Sequence, residues 1–152
     1  MHTTSAAIGA VQPFIAAVHT AIERAGRPLP TLSSNGPGTL PSDFGNNTGV
    51  VIGPALPACS GRDGAGWLSE TAVKGDLAGS GNAGRMRSGL LAALLFLAND
   101  LFARGLTLRP GDWVSTGAST GIHVLAVGDT VAARFDGKPA ITLPVCAAQP
   151  AR

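Results

Sequence analysis

The spacing of apolar residues predicts one long helix, between residues 88 and 104. Apolar side chains recur three and four positions apart there, in two adjacent rows: Leu90, Leu94, Leu97 and Leu101, with Leu91, Leu95, Ala98 and Phe102 beside them. Ser88 can cap the start, Asp100 and Arg104 stand four residues apart as an ion pair, and Gly105 can end the helix. A helix of this composition is expected to pack into the core.

Short apolar runs between turn residues predict strands in the rest of the chain. One run covers residues 49–53, and another pair lies within 67–78 around a turn at 74–76. After the helix, a turn at 108–112 precedes four further runs, at 113–116, 122–126, 130–135 and 140–145. The C-terminal third is therefore predicted to be a β-meander, as in barrels and rolls. Two of its turns echo one another, with Pro-Gly-Asp at 110–112 and Gly-Asp at 128–129.

The N-terminal segment leaves two alternatives open. Ile8, Val11, Ile15, Val18 and Ile22 have helical spacing, and Gly26 would end such a helix. Pro13 would lie inside it, where proline costs about 3 kcal/mol. The alternative is a short helix to about Val11, a break, and a strand over residues 14–18; periodicity does not decide between them.

Composition limits the classes of protein that this chain can represent. Its 152 residues suit one domain, and 45% hydrophobic against 13% charged residues excludes intrinsic disorder. An ordinary domain has about 25% charged residues, so we expect part of this surface to be covered in a homodimer or higher oligomer. The net charge of +2, the lack of a basic stripe and the absence of tyrosine argue against nucleic-acid binding.

The same sequence predicts no membrane attachment and a cytoplasmic location. Its longest apolar run, 89–98, is about half of the roughly 20 residues that a membrane span needs. Residues 1–5 lack the pattern of a secretory signal. Cys59 and Cys146 are far apart and without metal-ligand spacing, so two thiols are favoured over one disulfide.

Several stretches of the chain resemble the 2-oxopent-4-enoate hydratase and 4-oxalocrotonate decarboxylase family, part of the wider fumarylacetoacetate hydrolase superfamily. The C-terminal stretches that carry this resemblance are 109–114, 116–120 and 127–135; upstream, they are the helix at 94–104, the Gly-Ser-Gly hairpin at 74–81 and the segment 43–53. The resemblance implies an α+β fold, a mixed β-roll or barrel of the superfamily's C-terminal type with one long packing helix. It also implies that residues 1–152 form a single, truncated hydratase-like domain.

The resemblance is weakest where the family binds Mg²⁺ or Mn²⁺. Family members carry a Glu-x-Glu pair and a glutamate shortly after a proline, but this chain has no such pair, and Ala16 stands where that glutamate is expected. We therefore expect no metal cofactor by the family's arrangement, although Glu23, Asp43 and Glu70 remain conceivable ligands. Millimolar Mn²⁺ is expected to leave the melting temperature unchanged.

Three residues are candidates for catalysis. Asp43 matches a family motif position and could act as acid or base, Lys74 lies at the tip of the hairpin, and His19 could titrate near neutral pH. Each also has a structural alternative: Asp43 could stabilise a loop, Lys74 could be a solvated turn residue, and His19 could be a packing or surface residue.

The candidates for substrate binding follow from the resemblance, which implies that the loop at 117–121 faces the substrate carboxylate. Gly117, Ser119 and Thr120 would bind the anion through hydroxyl and backbone N–H groups, and Arg85 would assist from the mouth of the barrel. Alternatively, these residues simply make a tight loop and a solvated hairpin arm.

Two functions of different classes remain. The first is a small hydratase-like lyase or isomerase that acts on a 2-oxo or enol carboxylic acid without the family's metal site. The second is a catalytically inactive hydratase-like binding or partner subunit. The absence of the family's acidic metal ligands favours the inactive subunit, whereas the retained loop at 117–121 favours the enzyme. Because the scaffold resembles that of an enzyme family, we predict the enzyme.

Overall fold

The computed structural model describes residues 11–26, 36, 38–39, 44–56, 66–82 and 89–147. Asp43, Cys59, Arg85 and Ser88 lie outside these ranges, so the predictions that concern them are not addressed by the structure. The described elements are two short 3₁₀ turns (Gln12–Phe14 and Phe44–Asn46), one helix, α1 (Gly89–Ala103), and six strands: β1 (His19–Ala25), β2 (Asn47–Ala55), β3 (Leu68–Val73), β4 (Asp76–Asn82), β5 (Thr130–Phe135) and β6 (Lys138–Pro144).

The N-terminal segment pairs as a strand, and the prediction of one continuous helix through residue 22 is wrong. A 3₁₀ turn at Gln12–Phe14 is followed by extended chain, and β1 then pairs antiparallel with β2. The break near Pro13 that the alternative predicted is present, but its strand over 14–18 is wrong because the strand begins at His19; its short helix before Val11 lies outside the described residues. Helical spacing of apolar residues failed here because β2 supplies backbone partners that periodicity cannot reveal.

The other four strands form one antiparallel sheet in the order β4-β3-β5-β6. Two tight hairpins build it, each with two consecutive residues in the left-handed region: Lys74 (φ 55°) with Gly75 (φ 93°), and Asp136 (φ 48°) with Gly137 (φ 73°). This geometry is that of the type I′ turn, whose twist matches that of antiparallel strands. The predicted strand pairs on either side of residues 74–76 and 137 are therefore confirmed.

The core lies on one face of this sheet. Ser69, Val131, Ala133 and Ile141 are buried there. The two-stranded sheet packs against β6 where Gly53 lies beside the Ile141 side chain. A β-carbon at Gly53 would overlap Ile141 and the Thr20 hydroxyl, so glycine sets how closely the two sheets approach.

Two predicted strands, at 113–116 and 122–126, are absent. Both segments lie outside the strands, and within the described part of the chain they have no ladder partner. Alternating apolar residues predict which side chains face inward, whereas a strand also needs a neighbouring backbone to bond.

The two turns that echo one another in sequence have the same structure. The Asp112 side chain accepts a hydrogen bond from the backbone N–H of Arg109 at 2.7 Å, and Asp129 does the same with Ala126 at 2.9 Å. Each aspartate also donates its own N–H back to the carbonyl three residues earlier. A glycine with positive φ precedes each one, at 111 and 128.

Helix α1 ends as the sequence predicts but packs less deeply. Gly105 has φ 71°, and the Leu106 N–H bonds the Leu101 carbonyl at 2.9 Å, which is the Schellman pattern. Arg104 and Asp100 form the expected ion pair, with Nε and Oδ2 3.0 Å apart. The prediction of a fully packed core helix is wrong for its later turns, because its buried residues are Gly89, Leu91 and Ala92, and Phe102 is 82% exposed. No helix in the described ranges is long and apolar enough to cross a membrane.

Candidate functional site

Residues 117–121, named here the anchored loop, lie across the β3–β4 hairpin. Two hydroxyl–hydroxyl hydrogen bonds hold them there: Ser69 donates to Ser119 over 2.7 Å, and the hydroxyls of Thr71 and Thr120 are 2.9 Å apart. Ser69 and Thr71 point the same way because they are two positions apart on β3. The loop therefore has a defined position on the sheet although it forms no strand.

Two glycines on β4 leave the space that the anchored loop occupies. A β-carbon at Gly81 would overlap the Ser119 carbonyl, and one at Gly79 would overlap the Thr120 carbonyl and the His123 ring. The His123 ring lies under the loop, where its Nε2 donates to the Thr120 carbonyl at 3.1 Å. Small residues at alternate positions of β4 thus permit direct contact between the loop backbone and the hairpin.

The anchored loop has backbone donors that bond to no described residue. The backbone N–H groups of residues 117–121 have no hydrogen-bond partner among the described residues. Gly117 (φ 108°) and Gly121 (φ 95°) bound the loop, and both conformations favour glycine. Unbonded N–H groups beside two hydroxyls form an arrangement that can bind a carboxylate.

His19 is held in one tautomer at the start of β1. Its Nδ1 lies 2.9 Å from the Gly53 carbonyl oxygen, which can only accept, so Nδ1 carries the proton. The indole of Trp113 packs edge-on against the ring, with centroids 5.2 Å apart and planes at 66°. In the neutral ring, Nε2 therefore has a lone pair that can accept a proton.

Glu23 ties the chain that precedes the anchored loop to the two-stranded sheet. Asn47 donates to its Oε1 at 2.8 Å, and the Ser115 hydroxyl donates to its Oε2 at 3.2 Å. With Trp113 against His19, this contact fixes residues 113–115 on β1, whereas residues 119–123 lie on the hairpin. The segment 113–123 therefore spans the two sheets.

Lys74 forms an ion pair at the hairpin tip. Its Nζ lies 2.7 Å from Oδ1 of Asp129, and Asp129 is buried while Lys74 is exposed. The hydrogen bond from Lys74 and, after it, that from the Ala126 N–H lower the pKa of Asp129 below its ordinary value. The same hydrogen bond and the charge of Asp129 raise the pKa of Lys74, which stays protonated at neutral pH. This environment suits a structural cation rather than a general base.

The structure brings some of the predicted site residues together and separates others. Ser119 and Thr120 lie side by side on the hairpin, with Gly117 at the start of the same loop. Within the described ranges, no hydrogen bond or ion pair joins His19 or Lys74 to that loop. Sequence reasoning missed Ser69 and Thr71, although two hydroxyl residues at alternate positions of a strand are a visible signal.

A divalent cation is what the family resemblance implies for this site. Among the described residues, no three histidine, cysteine, aspartate or glutamate side chains come together. Both carboxylate oxygens of Glu23 are already hydrogen-bonded, and Glu70 lies on the opposite face of the sheet from Ser69 and Thr71. The described residues therefore show no cluster of carboxylates for Mg²⁺ or Mn²⁺, and Asp43 lies outside the described ranges.

The fold itself is similar to that of a known enzyme. The chain superposes on 4-oxalocrotonate decarboxylase from Pseudomonas putida G7 in its complex with calcium and acetate, with a TM-score of 0.79 and 20% identity over 91% of this chain and 51% of that one. For the same enzyme complexed with magnesium and adipate, the TM-score is 0.80 and the identity 19%, over 95% of this chain and 55% of that one. The chain thus spans about half the length of this enzyme.

These likenesses support an α+β fold similar to that of 4-oxalocrotonate decarboxylase, as the resemblance implied. No protein-family model matches the sequence, and no curated protein matches it. At such low identity the likeness defines a fold, and any activity must be argued from the site.

Proposed function

We propose that this chain is a hydratase-like lyase or isomerase domain that binds a small 2-oxo or enol carboxylic acid, with the carboxylate against the anchored loop. The observation that carries the proposal is the loop itself: its N–H groups are unbonded among the described residues, and it is fixed to β3 by two hydroxyl pairs. A binding loop that is already positioned loses little conformational entropy when the ligand binds.

The similar enzyme supports the chemical class of the ligand. The solved structures of 4-oxalocrotonate decarboxylase hold acetate or adipate, which are both carboxylates, together with a divalent cation. In the present chain the proposed anion contacts are uncharged donors: the backbone N–H groups of 117–121 and the hydroxyls of Ser119 and Thr120. We propose further that the strands close into a roll or barrel and that the protein is located in the cytoplasm.

His19 is proposed as the proton acceptor of the reaction. Its Nδ1–H is held by the Gly53 carbonyl, so Nε2 is the basic nitrogen of the neutral ring. A 2-oxo acid gives up a proton from C3 when it enolises, and its enol gives up the 2-hydroxyl proton when it returns to the oxo form and gains a proton on carbon. An oriented imidazole can take up the proton at Nε2 and return it to carbon. Asp43 and Arg85, which the structure does not describe, keep their proposed roles as acid or base and as carboxylate partner.

Calorimetric titration with pyruvate and with a 2-hydroxydienoate tests the binding site. Thr120→Val should weaken binding about ten- to a hundredfold, because a hydrogen bond to a charged group is worth about 1.5–3 kcal/mol. Thr71→Val is the matched control, since it removes the partner hydroxyl on β3 and leaves the donor of Thr120 in place. Equal losses in the two variants would show that Thr120 positions the loop and does not touch the acid.

Catalysis needs a separate measurement. Loss of dienoate absorbance should be slowed by His19→Gln at unchanged affinity for the acid, if the ring transfers a proton. Binding of the acids without turnover in the unaltered protein, or no binding at all, would instead favour the inactive binding or partner subunit.

A further inference from the structure

The face of the four-stranded sheet opposite to the anchored loop carries two opposite charges that no described residue pairs. Glu70 on β3 and Arg134 on β5 are directly opposite in the antiparallel register. Neither side chain forms an ion pair or hydrogen bond with any residue in the described ranges. Since no described residue neutralises either charge, both can be met by opposite charges on a partner.

The surroundings of this charge pair form a shallow depression. Glu70 and Arg134 line it together with Ala72, Gly75 and Leu77, and it has a volume of about 220 Å³. Leu77 is 63% exposed, although it is a large apolar side chain. The next cross-strand pair on the same face is Ala72 with Ala132, whose small side chains allow another surface to approach closely.

We propose that this face, centred on Glu70, Ala72, Ala132 and Arg134, binds a second copy of the chain face to face. The charges are self-complementary about a two-fold axis that runs along the strands between β3 and β5. Such an axis places β3 of one copy over β5 of the other, and therefore Glu70 of each copy over Arg134 of its partner. The alanine pair is placed over the same pair of the other copy, and an isologous interface requires this kind of self-matching.

Charge complementarity selects a second copy over other occupants. An acidic partner would leave Glu70 facing a like charge, and a basic partner would do the same to Arg134. A surface that carries a positive charge on one side of a two-fold axis and a negative charge on the other is complementary to a second copy of itself. This proposal concerns the face opposite to the one that carries the anchored loop, and it does not rest on the proposed function.

Charge reversal tests the interface on the whole chain, by sedimentation and light scattering at micromolar concentration. The unaltered protein should have twice its monomer mass of 15.2 kDa. Glu70→Arg places arginine over arginine, and Arg134→Glu places glutamate over glutamate, so each variant should raise the dimer dissociation constant about tenfold or more. The double variant, with both reversals, restores opposite charges and should dimerise as the unaltered protein does.

A mixture of the two single variants gives the sharpest result. Each contact between Glu70→Arg and Arg134→Glu chains joins opposite charges, so the mixture should form a heterodimer although neither variant alone forms a homodimer. Lys138→Glu, an exposed charge reversal on β6 opposite Phe135 and thus on the other face, is the matched control and should not affect assembly.

Three results would overturn the proposal: a monomeric unaltered protein, a dimer that both reversals leave intact, or a mixture that stays monomeric. Circular dichroism of each variant establishes that it is folded. The double variant keeps opposite charges on β3 and β5. If it dimerises, the loss of assembly in the single variants is caused by the charges and not by a folding defect.

Discussion

At the scale of single residues, Lys74 and Asp129 join the tip of the β3–β4 hairpin to the turn that precedes β5. Asp129 is 6% exposed, and its two oxygens receive hydrogen bonds from Lys74 Nζ and the Ala126 N–H. Removing the lysine would leave a buried carboxylate with one donor. Since Lys74 has φ 55°, the turn that presents its side chain depends on Gly75 beside it.

We therefore predict a pH-dependent loss of stability in Lys74→Met. The pKa of Asp129 is lowered, so the contribution of the pair is fully present above the ordinary aspartate value of 3.8 and disappears as pH falls through the lowered pKa. The pKa of Lys74 is raised, so at the alkaline end the contribution is present below 10.5 and disappears as pH rises through the raised value. Urea unfolding of both proteins should give a difference that is constant between pH 3.8 and 10.5 and shrinks only below the first value and above the second.

Lys138→Met is the control for this experiment, because Lys138 is exposed and has no ion pair with a described residue. It should leave stability within about 0.5 kcal/mol of the unaltered protein. A deficit in Lys74→Met that persisted unchanged into acid would contradict the role of Asp129.

The hydroxyl pair of Thr71 and Thr120 makes a second prediction at this scale. Each single change to valine leaves a half-buried hydroxyl without its partner, which should cost about 1–3 kcal/mol of unfolding free energy. The double change removes both polar groups and should cost less than the sum of the two. Urea unfolding of the four proteins measures this coupling, and strict additivity would mean that the two hydroxyls do not interact.

At the scale of elements, the hairpin and the anchored loop depend on glycines that leave room for a neighbouring backbone. Gly81 lies beneath the Ser119 carbonyl, and this contact cannot move without moving the loop. Backbone atoms yield less readily than the ends of flexible side chains. Gly81 therefore determines whether the loop can lie on β4 at all.

Gly81→Ala should destabilise the protein by about 1–3 kcal/mol, because the added methyl overlaps the loop backbone. It should also weaken any carboxylate binding by moving the loop N–H groups. Gly66→Ala is the matched control, since a β-carbon there meets no atom of the described residues and Gly66 has no positive φ. That change should be neutral or stabilise by up to about 1 kcal/mol. Equal thermal midpoints for the two variants would contradict the close contact at Gly81.

At the scale of the whole molecule, contact between the two sheets depends on Gly53 and Ile141. Gly53→Ala should cost about 1–3 kcal/mol, because its methyl group overlaps the Ile141 side chain and the Thr20 hydroxyl. Ile141→Val alone should cost about 0.5–1.5 kcal/mol. Since valine lacks the outermost methyl of isoleucine, the double variant should be less destabilised than the sum. A fully additive result in urea unfolding would place the two residues out of contact.

Much of the local structure follows from the sequence by itself. The Lys74-Gly75 and Asp136-Gly137 turns, the strands on either side of them, and the end of helix α1 at Gly105 are set by residues adjacent in the chain. Positive φ at glycine, cross-strand alternation and capping act over a few residues, so they can be recognised without knowing what lies nearby. The turn that recurs at 109–112 and 126–129 is likewise determined by residues adjacent in the chain.

The tertiary structure decided where the backbone finds its partners. It alone paired residues 19–25 with β2, left 113–116 and 122–126 outside the sheets, and kept Phe102 exposed on a helix whose pattern suggested a core. It also brought Ser69 and Thr71 to Ser119 and Thr120, about 50 residues away in sequence. The conformational preferences of residues act over a few neighbours in the chain, whereas strand pairing and burial depend on distant segments. No periodic pattern specifies which distant segment will pair with a strand or cover a side chain.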